Sequence, residues 1–288
     1  MRRSLLLLLS PLALCAANGP LAQSARPAPA VQPILANSPG LGMPHLLGGW
    51  QGRWLTAQQI AAALKGGAVY SAQALNGNTR LVRGTAPVSF GVPCEQVYGV
   101  PLEKNVVISS LEVLFAPKLN VRPRPVVALS PLNSTYREAT RQELVKLGLK
   151  NPNVRLIGVT RTDLDGNGTD EVIIEASSYA DRHDDLLPPP VGKPGDYSVL
   201  LLRQLRGGVT VTSVLASHVA PRTEWKPAGN SAMPVASLYR LAGIADLNGD
   251  GRMELIIYDS YYEGHNFTVS EWTPDRGEQI RLSAGCGA

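Results

Sequence analysis

The chain has 288 residues, of which 44% are hydrophobic and 17% charged, with a formal net charge of +4 and a pI near 9.0. That composition excludes an intrinsically disordered chain and a long coiled coil, and three cysteines exclude a disulfide-dense scaffold. The length accommodates one or two domains with a sizeable core.

Residues 1–25 read as a signal peptide. Met1-Arg2-Arg3 is a short basic start, and Leu5–Leu9 with Leu12–Ala17 form an apolar run broken by Ser10 and Pro11. The run is too short to span a bilayer, which takes about 20 residues. Small residues at 22–25 offer cleavage sites, so the mature protein is expected in the periplasm or outside the cell. Residues 26–45 hold five prolines and read as a disordered tether. Residues 46–150 are expected to form a smaller N-terminal α+β region with two helices. Thr56 and Gln59 make a capping-box pair for a helix over 57–65, and Thr135 and Glu138 do so for one over 136–147. Between them, 106–115 reads as a strand, and 126–129 as a shorter one.

Cleavage removes Cys15 and leaves Cys94 and Cys286, a count that allows one disulfide in an oxidising compartment. The net charge hides a split. Residues 26–150 carry 13 Lys/Arg against 5 Asp/Glu, whereas 151–288 carry 12 against 18. Lys104, Lys118, Arg122 and Arg124 are spread among prolines and apolar residues, so no nucleic-acid partner is expected.

Residues 151–288 carry the chemistry. Asp163-Leu-Asp165-Gly-Asn167-Gly168-Thr169-Asp170-Glu171 and Asp246-Leu-Asn248-Gly-Asp250-Gly251-Arg252-Met-Glu254 share one pattern, and each runs into three aliphatic residues. Short oxygen-bearing side chains at positions 1, 3 and 5, glycine at 6, a backbone carbonyl at 7 and a Glu at 9 suit a hard cation, Ca²⁺ above all. The metal ligands are therefore expected to be Asp163, Asp165, Asn167, Thr169 and Glu171 in one loop. In the other they are Asp246, Asn248, Asp250, Arg252 and Glu254. Position 12 is Ile174 or Ile257, which excludes an EF-hand. The loops start 83 residues apart, at 163 and 246. Apolar runs and turn signals such as Gly207-Gly208 predict a four-stranded antiparallel meander around each loop. The expected fold is thus mainly β, two meanders with a D-x-D-x-D-G-type loop each, joined to the smaller helical region.

Over roughly 154–178 and 238–262 the strand–loop–strand setting resembles the calcium loops of FG-GAP/VCBS-type repeats, as found in integrin-like propeller blades and exported bacterial proteins. The stretch from Tyr136 onward also resembles uncharacterised exported bacterial proteins with paired loops of this kind. The resemblance implies structural calcium and supplies no activity. The expected function is a non-enzymatic binding or envelope-structural role, with an unknown protein or envelope polymer as partner and no transmembrane segment. The alternative is an envelope hydrolase or carbohydrate-binding module using the 180–196 loop. In that reading His183, Asp184 and Asp185 form a base or metal site, and Trp50, Trp54, Trp225 and Trp272 are sugar-stacking candidates. His218 and His265 are read as packed or turn histidines. No G-x-S-x-G or H-E-x-x-H motif is present.

Overall fold

The structure is a computed structural model and describes residues 30–77, 79–103, 106–179, 186–227 and 232–287. The fold is mainly β, with two helices. The first eight strands are β1 (Gln32–Asn37), β2 (His45–Trp50), β3 (Trp54–Thr56), β4 (Ala68–Ala74), β5 (Thr79–Gly84), β6 (Val88–Ser89), β7 (Tyr98–Gly99) and β8 (Glu112–Phe115). They form one sheet in the order β5-β4-β8-β1-β2-β7-β6, with β3 paired to β2. The next five, β9 (Val127–Ala128), β10 (Leu156–Thr162), β11 (Glu171–Ser177), β12 (Tyr197–Arg206) and β13 (Val209–Val219), make a second sheet in the order β13-β12-β11-β10-β9. The last four, β14 (Leu238–Ala245), β15 (Glu254–Tyr261), β16 (Gly264–Thr273) and β17 (Gly277–Gly287), make a third, in chain order. The two expected meanders are β10–β13 and β14–β17, antiparallel throughout, and β9 adds a fifth strand to the first.

Two expectations about the N-terminal part are corrected. The proline-rich stretch 26–45 is not a tether over its described length. β1 lies between β2 and β8, with Ile34, Leu35 and Ala36 fully buried. β8 pairs with β1 only at Leu35–Asn37, so Pro33 lies beyond that ladder and its missing N–H interrupts none of its bonds. The α+β region that follows, expected to be the smaller part, holds the largest sheet, and its longer helix lies mid-chain, between two strands of the second sheet. Helix α1 is short, Ala57–Ile60 with a 3₁₀ turn over Ala61–Ala63, although its capping box forms as expected. Helix α2 (Ser134–Lys146) starts two residues early, because Asn133 caps it by accepting from the Thr135 and Tyr136 N–H groups. Glu138 instead pairs with Arg141 at 2.7 Å. The expected strand over 106–115 is confined to β8.

The sheets stack with the third in the middle, and period-two alternation assigns each side chain to a layer. Ile34 and Ala36 of β1 face the third sheet, meeting Ile256, Phe267 and Leu282. Leu35 faces the other way, toward Ile60 of α1 and Tyr70. Leu255 and Ile257 of β15 turn to the second sheet, meeting Leu164, Ile173 and Leu200. Val172 and Ile174 of β11 turn outward to Leu144 of α2. Strands buried on both faces explain why the residues after each Asp/Gly loop are consecutive aliphatics rather than alternating ones. Cys94 and Cys286 form a disulfide, Cα–Cα 5.7 Å, between the β6–β7 connection and β17. Among the described residues no helix is long and apolar enough to cross a membrane.

Candidate metal centre

The two Asp/Gly loops connect β10 to β11 and β14 to β15. Their hydrogen bonds follow one plan. The position-1 aspartate closes the loop from inside: Asp163 accepts from Gly166 (2.7 Å), Asn167 (3.1 Å) and Gly168 (3.0 Å). Asp246 accepts from Gly249 (2.7 Å) and Gly251 (3.0 Å). Position 3 then holds the N–H of position 5, as Asp165 to Asn167 (3.1 Å) and Asn248 to Asp250 (2.8 Å). Position 5 holds that of position 7, as Asn167 to Thr169 (2.7 Å) and Asp250 to Arg252 (2.8 Å). The position-9 glutamate reaches back to the N–H of position 2, from Glu171 to Leu164 (2.8 Å) and from Glu254 to Leu247 (2.7 Å). Such winding needs left-handed backbone at positions 4 and 6. All four residues there are glycines, with φ 78° and 86° in the first loop and 76° and 85° in the second.

Thr169 and Arg252, expected to offer carbonyls, are thus positioned through their N–H groups. The position-2 leucines anchor the loops. Leu164 is buried against the third sheet and its carbonyl accepts from Met253 of the second loop (2.9 Å). Leu247 is buried against the first sheet, beside Val121, whose carbonyl accepts from Asp246 (2.7 Å).

The loops differ in what their acids do. Asp163, Asp165 and Glu171 each bring a carboxylate oxygen to a common point, all within 4.8 Å of one another. Asp163 and Glu171 are buried. Burial, then the charges of Asp165 and Asp163, push the Glu171 carboxyl up to about 7 against the Leu164 hydrogen bond. In the second loop burial, then Asp250, Asp246 and Glu271, push Glu254 up to about 8. Asn248 at position 3 turns its amide nitrogen into this group, donating to Glu254 Oε1 (3.1 Å) and Glu271 Oε1 (3.3 Å). Among the described residues, the first loop alone gathers three carboxylates this closely.

Two partners escape a local reading. Arg124 donates to the carbonyl of Leu164 (3.0 Å) and lies 3.8 Å from Asp163 Oδ2. With Arg161 and Asp170 it lines a cavity of about 400 Å³ against the first loop. Glu271 accepts from Trp54 (2.9 Å) and Arg281 (2.6 Å) beside the second. Both residues lie outside the nine-residue motifs, and no spacing rule finds them.

The other candidates do not converge. His183, Asp184 and Asp185 lie outside the described residues. Trp54 packs against the seam between first and third sheets, Trp272 is buried between third and second, and Trp50 meets Trp54 edge-on at 5.1 Å. Trp225 lies in the connection between β13 and β14, with its indole nitrogen buried. His218 lies on β13. His265 lies on β16 and approaches His45 of β2, Nε2 to Nε2 3.2 Å.

No family model matches this chain, and neither the curated proteins nor the solved structures yield a match.

Proposed function

We propose that the protein is an exported calcium-binding protein in which Ca²⁺ has a structural role, leaving the outer surfaces for non-enzymatic binding of a protein or envelope polymer. The observation that carries this reading is the convergence of Asp163, Asp165 and Glu171 on a loop already wound by its own hydrogen bonds. Three partly desolvated carboxylates repel one another, the one cation beside them among the described residues, Arg124, lies 3.8 Å from Asp163 alone, and a divalent cation among all three offsets the repulsion and the cost of burial. An all-oxygen set on a flexible Gly-containing loop suits Ca²⁺ better than Mg²⁺, which demands a small octahedral shell and keeps its waters. The strand–loop–strand setting agrees with the FG-GAP/VCBS resemblance. The Cys94–Cys286 disulfide supports an oxidising compartment, hence export.

Calorimetric titration of chelator-treated protein should show Ca²⁺ binding, and Ca²⁺ should raise the melting temperature. Asp163→Ala should remove the tighter binding event. Absence of heat at millimolar Ca²⁺, together with an unchanged melting temperature, sinks the proposal.

A further inference from the structure

At the seam between the first and third sheets, two histidines far apart in sequence face each other. His45 opens β2 and is fully buried; His265, near the start of β16, is half-buried. Their Nε2 atoms stand 3.2 Å apart, with the rings edge to face. Phe90 stacks on His45 at 4.6 Å, and Phe267 and Tyr258 wall the pair. The seam is fastened at this spot. His265 is the cross-strand partner of Cys286, which is bonded to Cys94 four residues after Phe90.

Two nitrogens bound at about 2.05 Å to one tetrahedral ion lie about 3.3 Å apart. The observed 3.2 Å is the distance of an imidazole–imidazole hydrogen bond and also close to that of a chelating pair. Burial lowers the basicity of both rings, and at His45 the nearby His265 adds to the effect, which favours the neutral imidazole with its lone pair. A cavity of about 410 Å³ borders His265, though not His45, and is also lined by Gln58, Gln96, Asp259, Tyr261, Asn266 and Cys286. Through His265 it gives solvent and small ligands a path toward the pair.

We propose that His45 and His265 form a two-imidazole site for a first-row divalent ion of the zinc class, approached from the cavity on the His265 side. Imidazole nitrogen selects such ions over Ca²⁺, so this site is chemically distinct from the Asp/Gly loops. Two protein ligands with open positions resemble an exchangeable or ligand-accepting centre more than a closed structural one. Among the described residues His45 Nδ1 has no hydrogen-bond partner. An ion on Nε2 places the ring proton on that buried atom without an acceptor, so binding is weaker than at sites whose histidines are held by carbonyls or carboxylates.

The test uses the full mature chain, disulfide intact and saturated with Ca²⁺, titrated with Co²⁺ and then Zn²⁺. One Co²⁺ per chain should appear with the visible absorption of a tetrahedral ion and be displaced by Zn²⁺. His265→Gln should weaken binding about tenfold or more, His45→Gln should do the same, and His218→Gln should leave it unchanged. Absence of the cobalt absorption in the parent protein overturns the proposal and leaves an ordinary imidazole–imidazole hydrogen bond. Equal binding by His265→Gln overturns it too, and since that side chain is half-buried the result stands even where His45→Gln does not fold. Calcium calorimetry on the same samples reports separately on the Asp/Gly loops.

Discussion

The two Asp/Gly loops share a hydrogen-bond plan and a glycine geometry, yet they present different chemistry. Each contributes three acids of ligand type, but the order of acid and amide is exchanged: Asp165 with Asn167 in one, Asn248 with Asp250 in the other. In the first loop the position-3 carboxylate faces Asp163 and Glu171. In the second, position 3 is an amide that donates a hydrogen bond to Glu254 instead of adding a third carboxylate. Which position carries the charge therefore matters more than how many charges the loop has. Among the described residues, the first loop brings three carboxylates together with only Arg124 beside Asp163, and the second supplies a neutral donor from within.

That contrast can be attacked at several strengths. Reducing the disulfide should have the largest effect. It joins residues 192 apart, for which the chain-entropy model gives about 5 kcal/mol of stability. It closes the seam where Leu247 of the second loop is buried, so reduction should lower the melting temperature; equal melting of reduced and oxidised protein contradicts this. Asp163→Ala comes next. It strips acceptors from three backbone N–H groups and should cost about 4 kcal/mol in urea unfolding, more than Asp246→Ala, which strips two. Asp165→Asn should give the first loop the position-3 amide of the second and weaken its calcium binding about tenfold, or about 1.4 kcal/mol by calorimetry. The smallest effect is expected from Asn248→Asp. It should lower the calcium-free melting temperature by about 2–4 °C by replacing a donor with a charge, and should strengthen binding at the second loop. If Asn248→Asp instead stabilises the calcium-free protein, the role given to the Asn248 amide is wrong.

The loops were legible because all their ligand types fall within nine residues, where spacing fixes geometry. The strands after them were legible for a related reason. Val172-Ile173-Ile174 and Leu255-Ile256-Ile257 are short aliphatic runs between turns, and such runs are strands buried on both faces. The disulfide followed from having only two cysteines left to pair. β1 was missed because Pro27, Pro29, Pro33, Pro39 and Pro44 dominate the composition of its neighbourhood, while the six residues of β1, Pro33 among them, carry the buried Ile34 and Leu35. The start of α2 was displaced because Asn133 competes with Thr135 as a cap, and either satisfies the local pattern. Arg124, Glu271 and the facing of His45 with His265 depend on how the sheets stack. No periodicity along the chain encodes that.

The Cys94–Cys286 bond has a topological consequence. It makes residues 94–286 a covalent ring, and both Asp/Gly loops lie on that ring. A protease that cuts once between the loops opens the ring without releasing a fragment. The nicked molecule keeps its mass apart from one added water, keeps both halves at high effective concentration, and separates into two bands on a gel only after reduction.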